Sequence, residues 1–325
     1  MTAAPGASYP ADGPGRDRWI RARRPERHRL DPSRAYAALV EEEPDETGAT
    51  SPVAVVFLTN RECPWRCLMC DLWMNTLEEP VPPGAIPAQI RAALAALPPA
   101  RILKLYNAGS FFDPLAIPAD DLEEIAALAR PFARVVVESH PALVGEACRR
   151  FRDLLGGRLE VAMGLETVHP DVLPRLNKRM TLALYDAAAA FLAAEGIPHR
   201  GFVLAGLPWL GEAEGLEATR RAIVHAFDRK AGVVSVIPTR GGNGALDALA
   251  AEGLFSEPRL SVLEDAHDFG LSLSRGRVFA DLWDLERFSR CAACIGARRA
   301  RLAEANRTQR VAPRIACRAC GDGAR

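Results

Sequence analysis

The sequence of 325 residues has no run of about 18 apolar residues, so it offers no helix able to cross a bilayer. Its opening, MTAAPGASYPADGPG, lacks the basic start and apolar stretch of a secretory signal. Both absences point to a cytoplasmic protein with no membrane partner. The formal net charge of zero excludes a uniformly basic polyanion binder. The six histidines include no HExxH pattern and no close His/Cys pair. No internal repeat appears beyond an alternation of short apolar runs with helical patterns. Cysteine is sparse, with eight in all. In a reducing compartment, clustered cysteines more often hold metals than disulfides.

What is present is an ordinary globular composition, 49% hydrophobic and 25% charged, at a length that suits one large domain with extensions. Charge gathers at the ends. Arg16 to Arg34 holds eight arginines against Asp17, Glu26 and Asp31, and Arg290 to Arg325 holds nine against Glu304 and Asp322. Two basic termini can grip a phosphate backbone, or they are solvated tails. The chain divides into an Arg/Pro/Gly-rich N-terminal extension (1–45), a core (46–283) and a Cys-rich C-terminal segment (284–325). Residues 1 to about 30 are expected to be disordered on composition.

Six runs rich in Val, Ile and Leu read as strands buried on both faces: PVAVVFLTN (52–60), RILKLYN (101–107), ARVVVES (133–139), RLEVAMGLET (158–167), HRGFVLAG (199–206) and GVVSVIPT (232–239). Helical patterns lie between them. Ile90, Ala93, Leu94 and Leu97 share one helix face, as do Leu122, Ile125, Ala126 and Ala129. Thr181 opens a helix that Gly196 closes. Repeated βα units build a parallel sheet, and six fall short of a closed eightfold barrel. The expected fold is an α/β partial (β/α)6 TIM-like barrel with a small C-terminal metal-binding extension. Its chemistry belongs at the carboxyl ends of the strands.

Cys63, Cys67 and Cys70 stand together in RECPWRCLMCDLW with the spacing C-x3-C-x2-C, directly after the first of these runs. A structural zinc takes four protein ligands, and an iron–sulfur cube has four corners. Three thiolates therefore leave one corner open, which makes a binding site. The bland alternative is three of four zinc ligands. The motif and its place after strand one resemble the radical S-adenosylmethionine (SAM) superfamily. That resemblance implies a [4Fe–4S] cluster on Cys63, Cys67 and Cys70, with SAM chelating the fourth iron. It further implies reductive cleavage of SAM to a radical that abstracts hydrogen from substrate, fed by a donor such as flavodoxin or ferredoxin. Trp65 lies within the motif, and Met69 takes the place where the family often has an aromatic residue.

The resemblance carries to the other strand ends by position. It places Asn107, Ala108, Gly109 and Ser110 at the turn that contacts the SAM amino group. Glu138, Ser139 and Glu166 become acceptors for ribose hydroxyls or the ammonium group. Gly206 lets backbone approach the adenine, and Val236 and Ile237 line its pocket. KLYNAGSFFDP, VVVESHP, EVAMGLETVHPDVLPRLNKRMT and GFVLAGLPWL resemble, over roughly residues 50 to 260, the radical SAM subunit of archaeosine synthase. They more distantly resemble the Elp3-like core of Elongator. This implies a lyase or transferase acting on a modified tRNA nucleoside. A small metabolite is the alternative substrate, and a non-catalytic, zinc-dependent nucleic-acid-binding protein is the alternative class.

A second set, Cys291, Cys294, Cys317 and Cys320, has the spacing C-x2-C-x22-C-x2-C. Two such knuckles are a metal-site pattern, either a closed zinc ribbon that presents the arginines between them or an auxiliary [4Fe–4S] cluster. Cys148 stands alone and reads as a small core residue. His140, His169, Tyr106, Trp73 and Trp209 lie near strand ends, either facing the cavity or packing.

Overall fold

The structure, a computed structural model, describes residues 9–320. The first eight residues of the N-terminal extension and the last five of the C-terminal segment lie outside the described residues. One sheet of eight strands runs in chain order: β1 (Ala37–Pro44), β2 (Thr50–Leu58), β3 (Ile102–Asn107), β4 (Arg134–Ser139), β5 (Leu159–Glu166), β6 (His199–Ala205), β7 (Val233–Pro238) and β8 (Arg277–Ala280). β1 pairs antiparallel with β2, Ala37 opposite Phe57, and every later pair is parallel. The helices are α1 (Gly13–Arg21), α2 (Ala85–Ala96), α3 (Leu122–Ala129), α4 (Glu146–Leu154), α5 (Val172–Arg175), α6 (Leu182–Ala194), α7 (Glu212–Asp228), α8 (Ala245–Ala251), α9 (Leu260–Ser272) and α10 (Ile295–Thr308). The fold is a partial α/β barrel, as expected.

The six expected strands are β2 to β7. Thr181 caps α6, its hydroxyl accepting from the Leu184 amide, and Gly196 follows the helix at φ +65°. The structure adds two strands. β1 carries Glu41, Glu42 and Glu43; the first two are exposed, which suits an edge strand rather than a buried run, and Glu43 is buried. β8 has only four residues.

Alternation along the parallel strands sorts side chains into two cores. Leu103, Leu105, Val135, Val137, Val161, Met163, Val234 and Val236 face the helices. Val53, Val55, Ile102, Val136 and Ala162 meet inside the curved sheet, with Phe57, Tyr106 and Phe202 packed on them. Tyr106 of β3 and Phe202 of β6 are not on neighbouring strands, yet their rings lie 6.4 Å apart edge to face. They meet across the barrel interior. Below them, toward the strand starts, Glu43 bridges Lys104 (2.6 Å), Arg200 (2.9 Å) and Arg277 (3.4 Å), and Glu160 takes Arg200 at 2.6 Å. An ion-paired floor closes that end, so the interior opens at the carboxyl ends of the strands.

The basic termini are not loose. α1 buries Trp19 and Ile20 against Leu68, Leu246 and Phe255, which corrects the expectation of disorder for the part of that segment described here. The stretch ARRARLAEANRT forms α10, and its Arg298 and Arg301 turn inward onto Glu264 and Asp268. This corrects the expectation of presented arginines for Arg298 and Arg301, while Arg307 and Arg310 of the same segment are exposed.

Candidate active site

The loop after β2 carries Cys63, Cys67 and Cys70 to the barrel mouth, and its backbone is held from several sides. Asn177 donates to the Arg66 carbonyl at 2.7 Å, and the Leu68 amide donates to Leu176 at 2.9 Å. The Asn243 amide group donates to the carbonyls of Leu68 (2.8 Å) and Cys70 (3.2 Å). Glu62, next to the first cysteine, accepts from Arg24 (2.8 Å) and Arg27 (2.6 Å) and lies 3.2 Å from Arg66. Burial pushes all three thiols up to about 12. A thiol so placed becomes a thiolate when a positive centre compensates it, which is the demand a metal satisfies.

Around the thiols stand the other strand ends. Gly109 follows β3 at φ +147°, and a Cβ there would come 3.2 Å from Cys63 Cβ. That close approach suits glycine. Beside it, the Asn107 side chain is buried, and neither its oxygen nor its nitrogen has a hydrogen-bond partner. Ser110 and Ser139 touch through their hydroxyls at 3.1 Å. Burial pushes Glu138 up to about 8, although the Asn107 backbone amide and Lys178 oppose the rise. Its carboxyl is therefore largely neutral at neutral pH.

Lys178, which sequence reasoning did not single out, is the main cation of this mouth. Asn177 and Arg179 on either side adopt left-handed backbone, φ +56° and +58°. This turn sends the lysine back into the barrel, where it donates to Glu166 Oε1 at 2.5 Å and to the Gly164 carbonyl at 2.7 Å. Burial disfavours its charge, but Glu166 and Cys67 outweigh that and raise its pKa. The string LNKRM carried the only sequence signal for it. Trp65 stacks on His140, centroids 3.7 Å apart and 12° from parallel. His140 contacts the Lys178 carbonyl through Nε2 at 3.0 Å, and burial lowers its pKa to about 4, so the ring is neutral.

Other candidates fall elsewhere. Val236 points into the helix-facing core, whereas Ile237, one residue on, lies half-buried beside Met69 and Leu204. Strand alternation cannot place both in one pocket. Gly206 has φ +79°, and a Cβ there would strike Pro258 at 2.5 Å, so loop packing already demands glycine. His169 sits 3.5 Å from Glu214. Trp73 is buried with Arg24 over its face, and Trp209 packs on Tyr9 and Arg175. Tyr106 faces the interior, in a row of rings running Tyr36, Phe57, Tyr106 and Phe202. Cys148 is fully buried in the helix-facing core, as expected. The C-terminal cysteines converge into a group that can bind a metal.

No family model and no curated protein matches the sequence. Solved structures do. An Elp3 from the archaeon Methanocaldococcus infernus, lacking its first 46 residues, aligns over 76% of this chain and 61% of its own, at 13% identity and a TM-score of 0.52. Coproporphyrinogen III oxidase from Escherichia coli, a radical SAM enzyme, aligns over 71% and 52% at 12% identity and TM-score 0.46. The radical SAM methyltransferase TsrM from Kitasatospora setae, solved with tryptophan and a SAM analogue, aligns over 57% and 36% at 16% identity and TM-score 0.43. The chain thus spans about a third to three fifths of the length of these solved chains. The resemblance to the radical SAM superfamily, Elp3 included, holds at the level of the fold.

Proposed function

We propose that the chain is a radical SAM enzyme whose Cys63, Cys67 and Cys70 hold a [4Fe–4S] cluster with one iron open to SAM. One observation carries this reading. Three half-buried cysteines share a loop at the barrel mouth, beside the orphaned amide of Asn107 and the close approach of Gly109. The donor set fits the group: three soft ligands, no fourth thiol from this part of the chain, and unpaired polar atoms waiting for a polar ligand. When bound, the cluster and SAM supply a strongly hydrogen-abstracting radical; the chain's residues orient and shield it. Asn107, Gly109, Ser110, Glu138, Ser139, Glu166, Gly206 and Ile237 are the candidate SAM contacts. Lys178 and Glu166 fix the charge of the mouth, and the interior ring row excludes water below it.

A modified nucleoside in tRNA, processed by a lyase or transferase reaction with a flavodoxin- or ferredoxin-type electron donor, is the substrate that the subfamily resemblance suggests. Exposed Arg18, Arg21, Arg29 and Arg34 are the residues that would meet its backbone. A free metabolite is the second reading. It is favoured by the arginines that the fold turns inward, Arg24 and Arg27 onto Glu62 and Arg298 and Arg301 onto Glu264 and Asp268. The test of the enzyme reading is anaerobic reconstitution with iron and sulfide, reduction by dithionite and addition of SAM. 5′-Deoxyadenosine from the wild type and none from a Cys63→Ala/Cys67→Ala/Cys70→Ala variant is the expected result. Zinc in place of iron at the triad, with no product, overturns it. Salt-dependent tRNA binding that disappears in an Arg18→Ala/Arg21→Ala/Arg29→Ala/Arg34→Ala variant supports the nucleic-acid substrate, and no binding at low salt supports the metabolite.

A further inference from the structure

The four C-terminal thiols stand close together. Cys291 Sγ lies 3.8 Å from Cys317 Sγ, and Cys294 Sγ lies 3.9 Å from Cys320 Sγ. All four sulfurs fall within 4.8 Å of one another. A disulfide holds its sulfurs about 2.05 Å apart, so neither pair is bonded. The edge of a tetrahedron is about 1.63 times its centre-to-corner distance. Zinc–thiolate bonds of about 2.3 Å therefore set the sulfurs about 3.8 Å apart. The observed spacings match that edge. An iron–sulfur cube instead gives each thiolate its own iron, and its ligating sulfurs stand farther apart.

We propose that Cys291, Cys294, Cys317 and Cys320 bind a single tetrahedral zinc ion, closed to substrate and separate from the triad. The four thiolates fill the coordination sphere, which leaves no corner for chemistry. The site's position gives the ion a task. Cys294 immediately precedes α10, and Cys317 ends the stretch that runs back along it. Along that return, Arg301 donates to the carbonyls of Ala312 (2.8 Å) and Pro313 (3.0 Å). Arg314 meets Asp265 (2.6 Å) and Asp268 (2.8 Å) on α9. A metal joining the two knuckles closes a loop around α10 and holds the return segment in register with these bonds. This inference does not depend on the enzyme reading.

The experiment isolates the site by removing the triad. The Cys63→Ala/Cys67→Ala/Cys70→Ala protein, purified whole, is analysed for zinc, iron and acid-labile sulfide. One zinc per chain with no sulfide is expected, and growth in cobalt should give the visible spectrum of a tetrahedral thiolate site. Iron with sulfide, one iron without sulfide, or all four C-terminal thiols titratable beside Cys148 with no metal would each overturn the proposal. A second variant, Cys317→Ser/Cys320→Ser with the triad intact, should lose the zinc and become open to protease between residues 309 and 320. It should still load iron and sulfide at the triad. If that variant does not fold, the metal content of the first still decides the question.

Discussion

At the scale of single residues, the barrel mouth is organised by one buried pair and one neutral acid. Lys178 and Glu166 are each less than a tenth exposed, and their contact depends on a missing side chain. A Cβ on Gly164 would fall 2.1 Å from both Glu166 Oε1 and Lys178 Nζ. Gly164→Ala should therefore drive the pair apart and cost about 1–3 kcal/mol, read by urea unfolding. Lys178→Met should cost more, about 3–5 kcal/mol, because it leaves the Glu166 carboxylate buried without its cation. Equal stabilities for wild type and Lys178→Met would mean that water reaches Glu166. Glu138 makes a pH prediction. Burial raises its pKa from 4.5 to about 8, so between those values the folded state holds a proton that the unfolded state has released. That stabilising contribution is complete below about pH 4.5 and is lost as pH rises through 8, with a slope of at most about 1.4 kcal/mol per pH unit. Glu138→Gln cannot ionise, so its stability relative to wild type should rise between pH 5 and pH 8.5. A constant difference across that range would show that Glu138 titrates normally. Only part of this was legible in the sequence. Glu138 and Glu166 were visible as strand-end carboxylates, but Lys178 reaches Glu166 through two left-handed residues that no periodicity announces.

At the scale of elements, the parallel strands were the most legible part, because doubly buried strands show as continuous Val, Ile and Leu runs. α1 was not legible. Its sequence, GPGRDRWIR, is polar apart from Trp19 and Ile20, and those two side chains supply its whole apolar anchor. The segment that follows uses its arginines as a strap over the cysteine loop. Arg24 and Arg27 both take Glu62, and the Arg27 guanidinium also donates to the Thr76 hydroxyl at 2.9 Å. Arg24→Ala/Arg27→Ala leaves Glu62 mostly buried with only Arg66 near it. The cost should be about 1–3 kcal/mol, and the loop that presents Cys63 should lose its outer hold. Reconstituted iron per chain should fall, and trypsin should cut within residues 16–30 faster than in wild type. Protease resistance and iron content equal to wild type would show that the strap is dispensable. Charge composition suggested a nucleic-acid grip here. The geometry shows how an arginine-rich stretch can instead hold the chain to itself.

At the scale of the whole molecule, the barrel is asymmetric along its axis, and function can occupy only one end. The floor is charged and sealed: Glu43 arrives from the antiparallel strand β1, outside the six βα units, and meets cations from β3, β6 and β8. Burial alone would raise the Glu43 carboxyl, but Arg200 and Lys104 outweigh it and hold the group well below the usual carboxylate range. One side chain thus ties the first strand of the sheet to the last, and the Pro44 carbonyl adds an acceptor for Arg277 at 2.7 Å. The run EEE in the sequence gave no hint of this, since an exposed edge strand with one inward glutamate looks like any solvated acidic stretch. Glu43→Ala should leave Lys104, Arg200 and Arg277 with Glu160, Glu41 and Glu46 as their remaining partners. The expected loss is about 3–5 kcal/mol, comparable to breaking other buried ion pairs. Because the floor lies opposite the cysteines, refolded Glu43→Ala protein at low temperature should still bind iron and sulfide at the triad. A variant that keeps full stability would mean that the floor is hydrated and the two ends of the sheet are held together by α10 alone. A variant that is stable but unable to load iron would mean that the floor and the mouth are coupled through the interior row of rings.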